Sequence, residues 1–209
     1  MRLAGVAWYQ GEADVGQSNY DAKLRELFAG WRDQFGPRVK MLVVQLANFG
    51  ERQSKPKESA WAQLRQEQID AVQTDPNAAL VTAIDIGEPT DIHPANKNEL
   101  GKRLAYAFEG ERMPMASAAV RRGSTIEVTF TGIEGDLVAL GGPFPLGVEV
   151  CGAQENTCQW AVSRIEGATL SVSVAGGVSA LRVRYAWADA PIVNLYDGRG
   201  MPVPGFELD

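Results

Sequence analysis

The fold of this chain is decided by the stretch Val39-Lys40-Met41-Leu42-Val43-Val44-Gln45-Leu46, which is apolar at nearly every position. A short, nearly continuous apolar run is typical of a strand that is buried on both faces of a parallel sheet. Before this strand, apolar side chains recur at helical spacing over roughly 20–35. They recur again after it, where Trp61, Leu64 and Val72 belong to one helical face.

The alternation of strands and helices continues on both sides of these elements. Further apolar strands are predicted at 3–9 and 80–84, and a last helix at 98–108. Such an alternation predicts a parallel sheet covered by helices. The active residues of such sheets gather beyond the carboxyl ends of the strands. We therefore expect the loops 10–19 and 85–96 to carry the chemistry.

Two local signals mark the expected helix starts. Ser18 and Asp21 have the spacing of a capping box, so Ser18 is expected to cap the first helix. Pro56 suits the first turn of the second helix.

The pattern changes after about residue 113. Helical periodicity disappears, and glycines separate short β-rich runs such as 126–130, 148–151 and 170–174. The sequence therefore predicts an α/β domain over 1–112 and a small antiparallel β-sandwich module over 113–209.

Composition excludes several classes of protein. The 209 residues carry a net charge of −6 and form no basic stripe, which argues against a nucleic-acid partner. No apolar stretch approaches the roughly 20 residues of a membrane span. The short apolar N-terminus lacks a cleavage site, so we expect no signal peptide and leave the compartment open. Cys151 and Cys158 flank a hairpin loop and are either bridged or reduced; no metal-ligand spacing appears, and we expect no metal and no cofactor.

The chain contains a single histidine, His93, in the run Thr90-Asp91-Ile92-His93-Pro94. Any acid or base catalysis by an imidazole must use this residue. Asp91 lies two positions away and is able to orient the ring. We favour a functional histidine over an ordinary surface one.

The first strand ends in Trp8-Tyr9-Gln10-Gly11-Glu12. This ending brings a side-chain amide, a backbone N–H and a carboxylate to the edge of the sheet. Amide and backbone N–H groups are the donors that an oxyanion hole needs. A simple turn after a strand is the alternative interpretation.

These motifs, together with the helix residues Tyr20, Leu24 and Trp31-Arg32 and the segment Asp91-Ile92-His93-Pro94-Ala95-Asn96-Lys97, resemble the sialate O-acetylesterase family of SGNH hydrolases. Val183-Arg184-Tyr185-Ala186-Trp187 and the run from Asn194 to Pro202 resemble the family's C-terminal signature. The resemblance implies part of a flavodoxin-like SGNH sheet. It also implies a serine hydrolase that removes acetyl esters from sugars without a cofactor, with an acetylated sugar as its partner. His93 matches the family's base, and Gln10 and Gly11 match its oxyanion side.

The chain departs from the family pattern in two ways. The family's nucleophile lies in a Gly-Gln-Ser-Asn-like motif ahead of the Trp-Tyr-Gln-Gly-Glu strand, whereas Gly16-Gln17-Ser18-Asn19 follows that strand here. The family's acid usually lies three residues before the histidine, a position that Thr90 occupies. Asp91 and Glu12 are the candidate orienting acids, and we prefer Asp91.

We therefore expect the distal portion of such an esterase, with the nucleophile either on Ser18 or upstream. Its truncated sheet is expected to meet a second copy or a companion N-terminal segment at its edge. The alternative is an inactive remnant that binds a glycan or a partner chain. The second module has four aromatic residues that either stack on a sugar or pack in the core: Trp160, Tyr185, Trp187 and Tyr196.

Overall fold

A three-stranded parallel sheet forms the first half of the molecule. The computed structural model describes residues 3–154, 156–174 and 182–209. The strands of this sheet are β1 (Gly5–Trp8), β2 (Lys40–Gln45) and β3 (Ala78–Thr82). Their order is β1-β2-β3, so the apolar run of β2 occupies the centre, and the predicted parallel pairing is confirmed.

Three helices cover the two faces of this sheet. They are α1 (Tyr20–Phe35), α2 (Ala60–Gln73) and α3 (Lys97–Glu109). Met41 and Val43 of β2 share a core with α1 and α2, whereas Leu42 and Val44 share one with α3. This alternation follows from the two-residue period of a strand and produces three layers. In the described part of the chain, no helix combines the length and the apolarity that crossing a bilayer requires.

The predicted capping box at the start of α1 is wrong. The N-cap is Asn19, in the left-handed conformation with φ 68°, and its side chain makes no capping hydrogen bond. The backbone N–H of Tyr20 instead donates to Glu67 Oε2 of α2, at 2.6 Å. A carboxylate from a packed neighbouring helix thus replaces the local Ser18 cap.

The start predicted for α2 is also wrong. Pro56 lies ahead of the helix, which begins at Ala60 with Ser59 as its N-cap. The Ser59 hydroxyl accepts from the backbone N–H of Ala62 at 3.0 Å and donates to Asp189 Oδ1 at 2.6 Å. The cap therefore joins the helix start to a distant segment, which no local signal could reveal.

The second half of the molecule is antiparallel, as predicted. Its strands are β4 (Met115–Arg122), β5 (Thr125–Thr131), β6 (Val138–Ala139), β7 (Val148–Cys151), β8 (Gln159–Trp160), β9 (Ser163–Glu166), β10 (Thr169–Ser173), β11 (Arg182–Tyr185), β12 (Leu195–Tyr196) and β13 (Phe206–Leu208). They form a sheet of order β4-β5-β10-β9, a sheet of order β13-β11-β7-β8, and the pair β12-β6. The rings of Phe130 and Phe206 meet edge to face between the two larger sheets, with centroids 6.0 Å apart.

The two halves are joined by a buried arginine. The Arg65 guanidinium, 1% exposed, donates to the carbonyls of Leu46 and Ala47 at 2.8 Å each. It also donates to the carbonyls of Ala188 and Asp189, at 2.7 and 2.9 Å. Burial lowers its pKa, but the four acceptors stabilise the cation. The loop after β2 is thereby fixed to the C-terminal half, and the division into 1–112 and 113–209 stays a prediction.

Cys151 and Cys158 form a disulfide, which decides between the bridged and reduced states that the sequence left open. The bridge joins the end of β7 to the residue before β8. The Glu149 carboxylate lies within 4.8 Å of both sulfurs. Since both sulfurs are bonded to each other, they offer no thiolate to a metal ion.

Candidate active site at the edge of the parallel sheet

Gln10, two residues beyond the end of β1, is held by hydrogen bonds with its neighbours. The Tyr20 hydroxyl lies 2.8 Å from both the backbone carbonyl and the Oε1 of Gln10. The Gln10 amide nitrogen donates to Asp14 Oδ2 at 2.8 Å. The side chain is therefore fixed in one orientation, and its oxyanion role remains a prediction.

Gly11 makes the turn that leaves β1. Its φ is 151°, and a Cβ added at this position would lie only 2.7 Å from Leu64 Cδ2, so there is no room for a side chain. Glu12 then begins a short 3-10 helix, Glu12–Asp14. Burial, and to a smaller degree the nearby Glu12 charge, raises the pKa of the Tyr9 hydroxyl to about 12.

Gln68 of α2 joins the ends of β1 and β2. Its Oε1 accepts from the backbone N–H of Leu46 at 3.0 Å. Its Nε2 donates to the carbonyls of Gln10 and Val44, at 3.2 Å each. The side chain is fully buried, so these bonds are shielded from water.

Gln68 and Arg65 were not among the residues predicted from the sequence. A signal was present, because Gln68 lies four residues from both Leu64 and Val72 on the apolar face of α2. Arg65 likewise lies in a helix face that is buried in the structure. A polar side chain in such a position needs partners from elsewhere in the fold.

An ion pair fixes the start of the histidine loop, residues 85–96. Arg103 of α3 grips Asp85 with Nη1 to Oδ1 at 2.6 Å and Nη2 to Oδ2 at 2.8 Å. The Tyr196 hydroxyl donates to the same carboxylate at 3.2 Å. Burial, followed by the charge of Asp85, raises the pKa of Tyr196 to about 12. Both carboxylate oxygens of Asp85 are therefore occupied by structural contacts.

Asp91 and His93 are brought together within this loop. Asp91 Oδ1 accepts from the backbone N–H of His93 at 2.8 Å and lies 3.7 Å from His93 Nδ1. The second distance exceeds that of a hydrogen bond but allows charge interaction. The His93 side chain is 87% exposed.

No hydrogen bond or ion pair among the described residues joins His93 to Gln10, Gly11 or Glu12. Ser18 is also exposed, and its Oγ accepts from Asn19 Nδ2 at 3.2 Å. Within the described part of the chain, Ser18 makes no such contact with His93 either. The structure therefore pairs Asp91 with His93 and leaves the nucleophile a prediction.

The four aromatic residues of the second module differ in exposure. Tyr185 is fully buried, and its hydroxyl accepts from the backbone N–H of Leu195 at 3.1 Å, so it belongs to the core. Trp187 is 5% exposed, and the Arg184 guanidinium lies 4.4 Å from the centre of its ring. Trp160 is 47% exposed and keeps a face open.

Comparison with known proteins gives two matches. Residues 1–109 match the family model described as carbohydrate esterase, sialic acid-specific acetylesterase. The structure resembles the crystal structure of a carbohydrate acetylesterase from Xanthomonas citri, with a TM-score of 0.86 and 31% sequence identity. That match covers 99% of this chain and 50% of the other, so this chain spans about half the length of that protein. No curated protein matches the chain.

Proposed function

Because this chain belongs to the family of sialic acid-specific acetylesterases among the carbohydrate esterases, we propose that it takes part in the hydrolysis of acetyl esters on sugars. The observation that carries this proposal is the position of the only histidine. His93 lies on the loop after β3, with the Asp91 carboxylate 3.7 Å from its Nδ1. A histidine beyond the carboxyl end of a parallel strand, beside an acid, has the surroundings of a general base.

The proposed reaction is a serine-type acyl transfer. A serine hydroxyl attacks the acetyl carbonyl while His93 accepts its proton. The tetrahedral intermediate then expels the sugar oxygen, which takes that proton, and leaves an acetyl-enzyme. Water attacks the acetyl-enzyme with His93 again as base, which releases acetate and restores the serine.

Asp91 is proposed as the acid that orients His93, with Glu12 as the competing candidate. The 3.7 Å separation supports Asp91. Glu12 lies on the strand-end segment, residues 8–12, where its negative charge contributes to the raised pKa of Tyr9. The proposal places Gln10 and Gly11 at the oxyanion, since both follow β1 at the carboxyl end of the sheet and an amide and a backbone N–H are the donors that an oxyanion needs.

The nucleophile is proposed to be either Ser18 or a serine outside these 209 residues. Two features support a contribution from outside. The matched acetylesterase is about twice as long, and the edge of β1 opposite β2 has no partner among the described strands. A companion N-terminal segment or a second copy of the chain would cover that edge.

The test is turnover of p-nitrophenyl acetate by this chain and four variants, His93→Ala, Ser18→Ala, Asp91→Asn and Glu12→Gln. Ser54→Ala is the matched control for an exposed serine. The proposal expects the largest loss from His93→Ala, of about a thousandfold or more. A loss of similar size in Ser18→Ala identifies that hydroxyl as the nucleophile, and unchanged turnover identifies another. Whichever of Asp91→Asn and Glu12→Gln loses more activity identifies the acid that orients His93.

The second candidate function is an inactive module that binds a glycan or a partner chain. The exposed imidazole and the unmatched nucleophile favour it. Absence of turnover by the wild-type chain supports this candidate for residues 1–209. Turnover that survives His93→Ala overturns the esterase mechanism given above.

A further inference from the structure

A cavity of about 180 Å³ opens where the β2–α2 loop meets the second antiparallel sheet. Arg52 and Gln53 of that loop form one side. Glu149 of β7 and Trp160 of β8 form another, and the remainder is formed by residues of the segments 146–147 and 186–192. Glu149 and Trp160 face each other as a cross-strand pair, so their side chains emerge on the same face of the sheet.

The residues that line this cavity carry most of the unpaired buried polar atoms in the described part of the chain. Buried side-chain atoms without a hydrogen-bond partner number eight in the described residues, and five of them belong to Gln53, Glu149 and Trp187. They are both amide atoms of Gln53, both carboxyl oxygens of Glu149 and the indole nitrogen of Trp187. Glu149 is 0% exposed. Leaving a buried polar group unpaired costs about 1–3 kcal/mol, so their concentration in residues around one cavity favours a bound polar molecule there.

Gln53 and Trp187 carry uncharged polar groups, and burial favours the uncharged form of the Glu149 carboxyl. Burial raises the pKa of Glu149 to about 8, although Arg184 opposes the rise, and the charges of Glu58 and Glu207 add to it. Arg184 is itself neutralised, since it pairs with Glu58 at 2.9 Å and with Glu207. A protonated carboxyl, an amide and an indole N–H together donate and accept hydrogen bonds, as sugar hydroxyls do. Arg52 is exposed and contributes the charged part of the lining.

An aromatic and apolar surface adjoins these polar groups. Trp160 also lines a neighbouring cavity of about 350 Å³, together with the exposed side chains of Phe144, Leu146 and Val162. Ligand sites commonly combine apolar and aromatic walls with a few placed polar groups. A sugar ring fits this combination, because its C–H face packs on an aromatic ring while its hydroxyls form hydrogen bonds.

We propose that this cavity binds a neutral pyranose ring, with Trp160 against the C–H face of the sugar and Gln53, Glu149 and Trp187 bonding its hydroxyls. The site is a binding site, which requires no ester hydrolysis. The β2–α2 loop contacts both the cavity segment and the histidine loop. The backbone N–H of Phe49 donates to the Asp189 carbonyl at 3.1 Å, and that of Gly50 donates to the Pro89 carbonyl at 2.9 Å. A glycan in the cavity would therefore contact the same β2–α2 loop that contacts the histidine loop.

The first test is saturation-transfer NMR of the whole chain with methyl glycosides of glucose, galactose and mannose. N-acetylneuraminic acid is the charged comparison and glycerol is the acyclic one. We expect saturation transfer from the protein to the ring protons of at least one neutral glycoside. Trp160→Ala is expected to lower the affinity for that glycoside about fivefold. Tyr106→Ala removes an aromatic ring of similar exposure from α3 and leaves the transfer unchanged.

The second test uses pH and separates binding from folding. Glu149→Gln keeps a neutral donor and acceptor, so it retains binding at pH 7, whereas Glu149→Leu loses it. Raising the pH above about 8 ionises Glu149 and weakens binding to the wild type but not to Glu149→Gln. No transfer to any neutral glycoside overturns the proposal, as does equal transfer to glycerol, stronger binding of the charged sugar, or unchanged binding in Trp160→Ala.

Discussion

The two segments of the candidate active site differ in how the fold holds them. The strand-end segment 8–12 is fixed from three sides, since Gln10 bonds to Tyr20, Asp14 and Gln68. The histidine loop is fixed at Asp85 by Arg103, while the His93 side chain projects into solvent with Asp91 as its polar neighbour. The strand-end segment is therefore part of the scaffold, whereas the histidine loop is attached to it.

The largest effect on stability is expected from Gly11→Ala. The added Cβ meets Leu64 Cδ2 at 2.7 Å, and φ of 151° is strained for alanine. Together these features are expected to lower the free energy of unfolding by roughly 3 kcal/mol in urea titrations. Gly16→Ala is the control, because its φ is +83° and no atom lies within 4 Å of the added Cβ. The control should lose only about 1–2 kcal/mol, and equal losses in both would contradict a packing role for Gly11.

A smaller effect is expected from Gln68→Ala. The substitution leaves the buried N–H of Leu46 without its acceptor and removes a bond to the Gln10 carbonyl. We expect a loss of about 2 kcal/mol in unfolding free energy, measured by chemical denaturation. Gln63→Ala on the exposed face of the same helix should change it by less than about 0.5 kcal/mol. If the two variants were equally stable, Gln68 would not connect the strand ends energetically.

The smallest effect on stability is expected from His93→Ala. The side chain is 87% exposed, so its removal should change the unfolding free energy by no more than about 0.5 kcal/mol. Asn98→Ala, at another exposed position in the same region, is the control. Thermal and urea unfolding measure the stability of both variants. A loss of unfolding free energy in His93→Ala well above that in Asn98→Ala would show that the imidazole supports the fold. The strand-end segment and the histidine loop would then no longer differ in this respect.

The sequence predicted the elements whose signal is local. The apolar run of β2 and the helical spacing of α1 are each complete within one segment, and both elements appear where they were expected. The caps were wrong because their partners are remote. Glu67 replaces Ser18 at the start of α1, and Ser59 caps α2 while bonding to Asp189.

In the candidate site too, local features could be predicted from the sequence and remote contacts could not. Only Ile92 separates Asp91 from His93, so their proximity follows from the chain itself. The bonds that fix Gln10 come partly from Gln68 of α2, 58 positions away, and depend on the tertiary fold. The exposure of an imidazole is likewise a property of the assembled surface, which a single sequence does not encode locally.

Arg65 limits how this molecule can vary over evolutionary time. Its guanidinium donates to two carbonyls that lie 18 and 19 positions away in the chain and to two that lie 123 and 124 positions away. A replacement of the later half by a relative's module would succeed only if the new backbone offered carbonyls at the same two points. We expect the loop after β2 and the 188–189 segment to be inherited as a unit, although a long stretch of chain separates them.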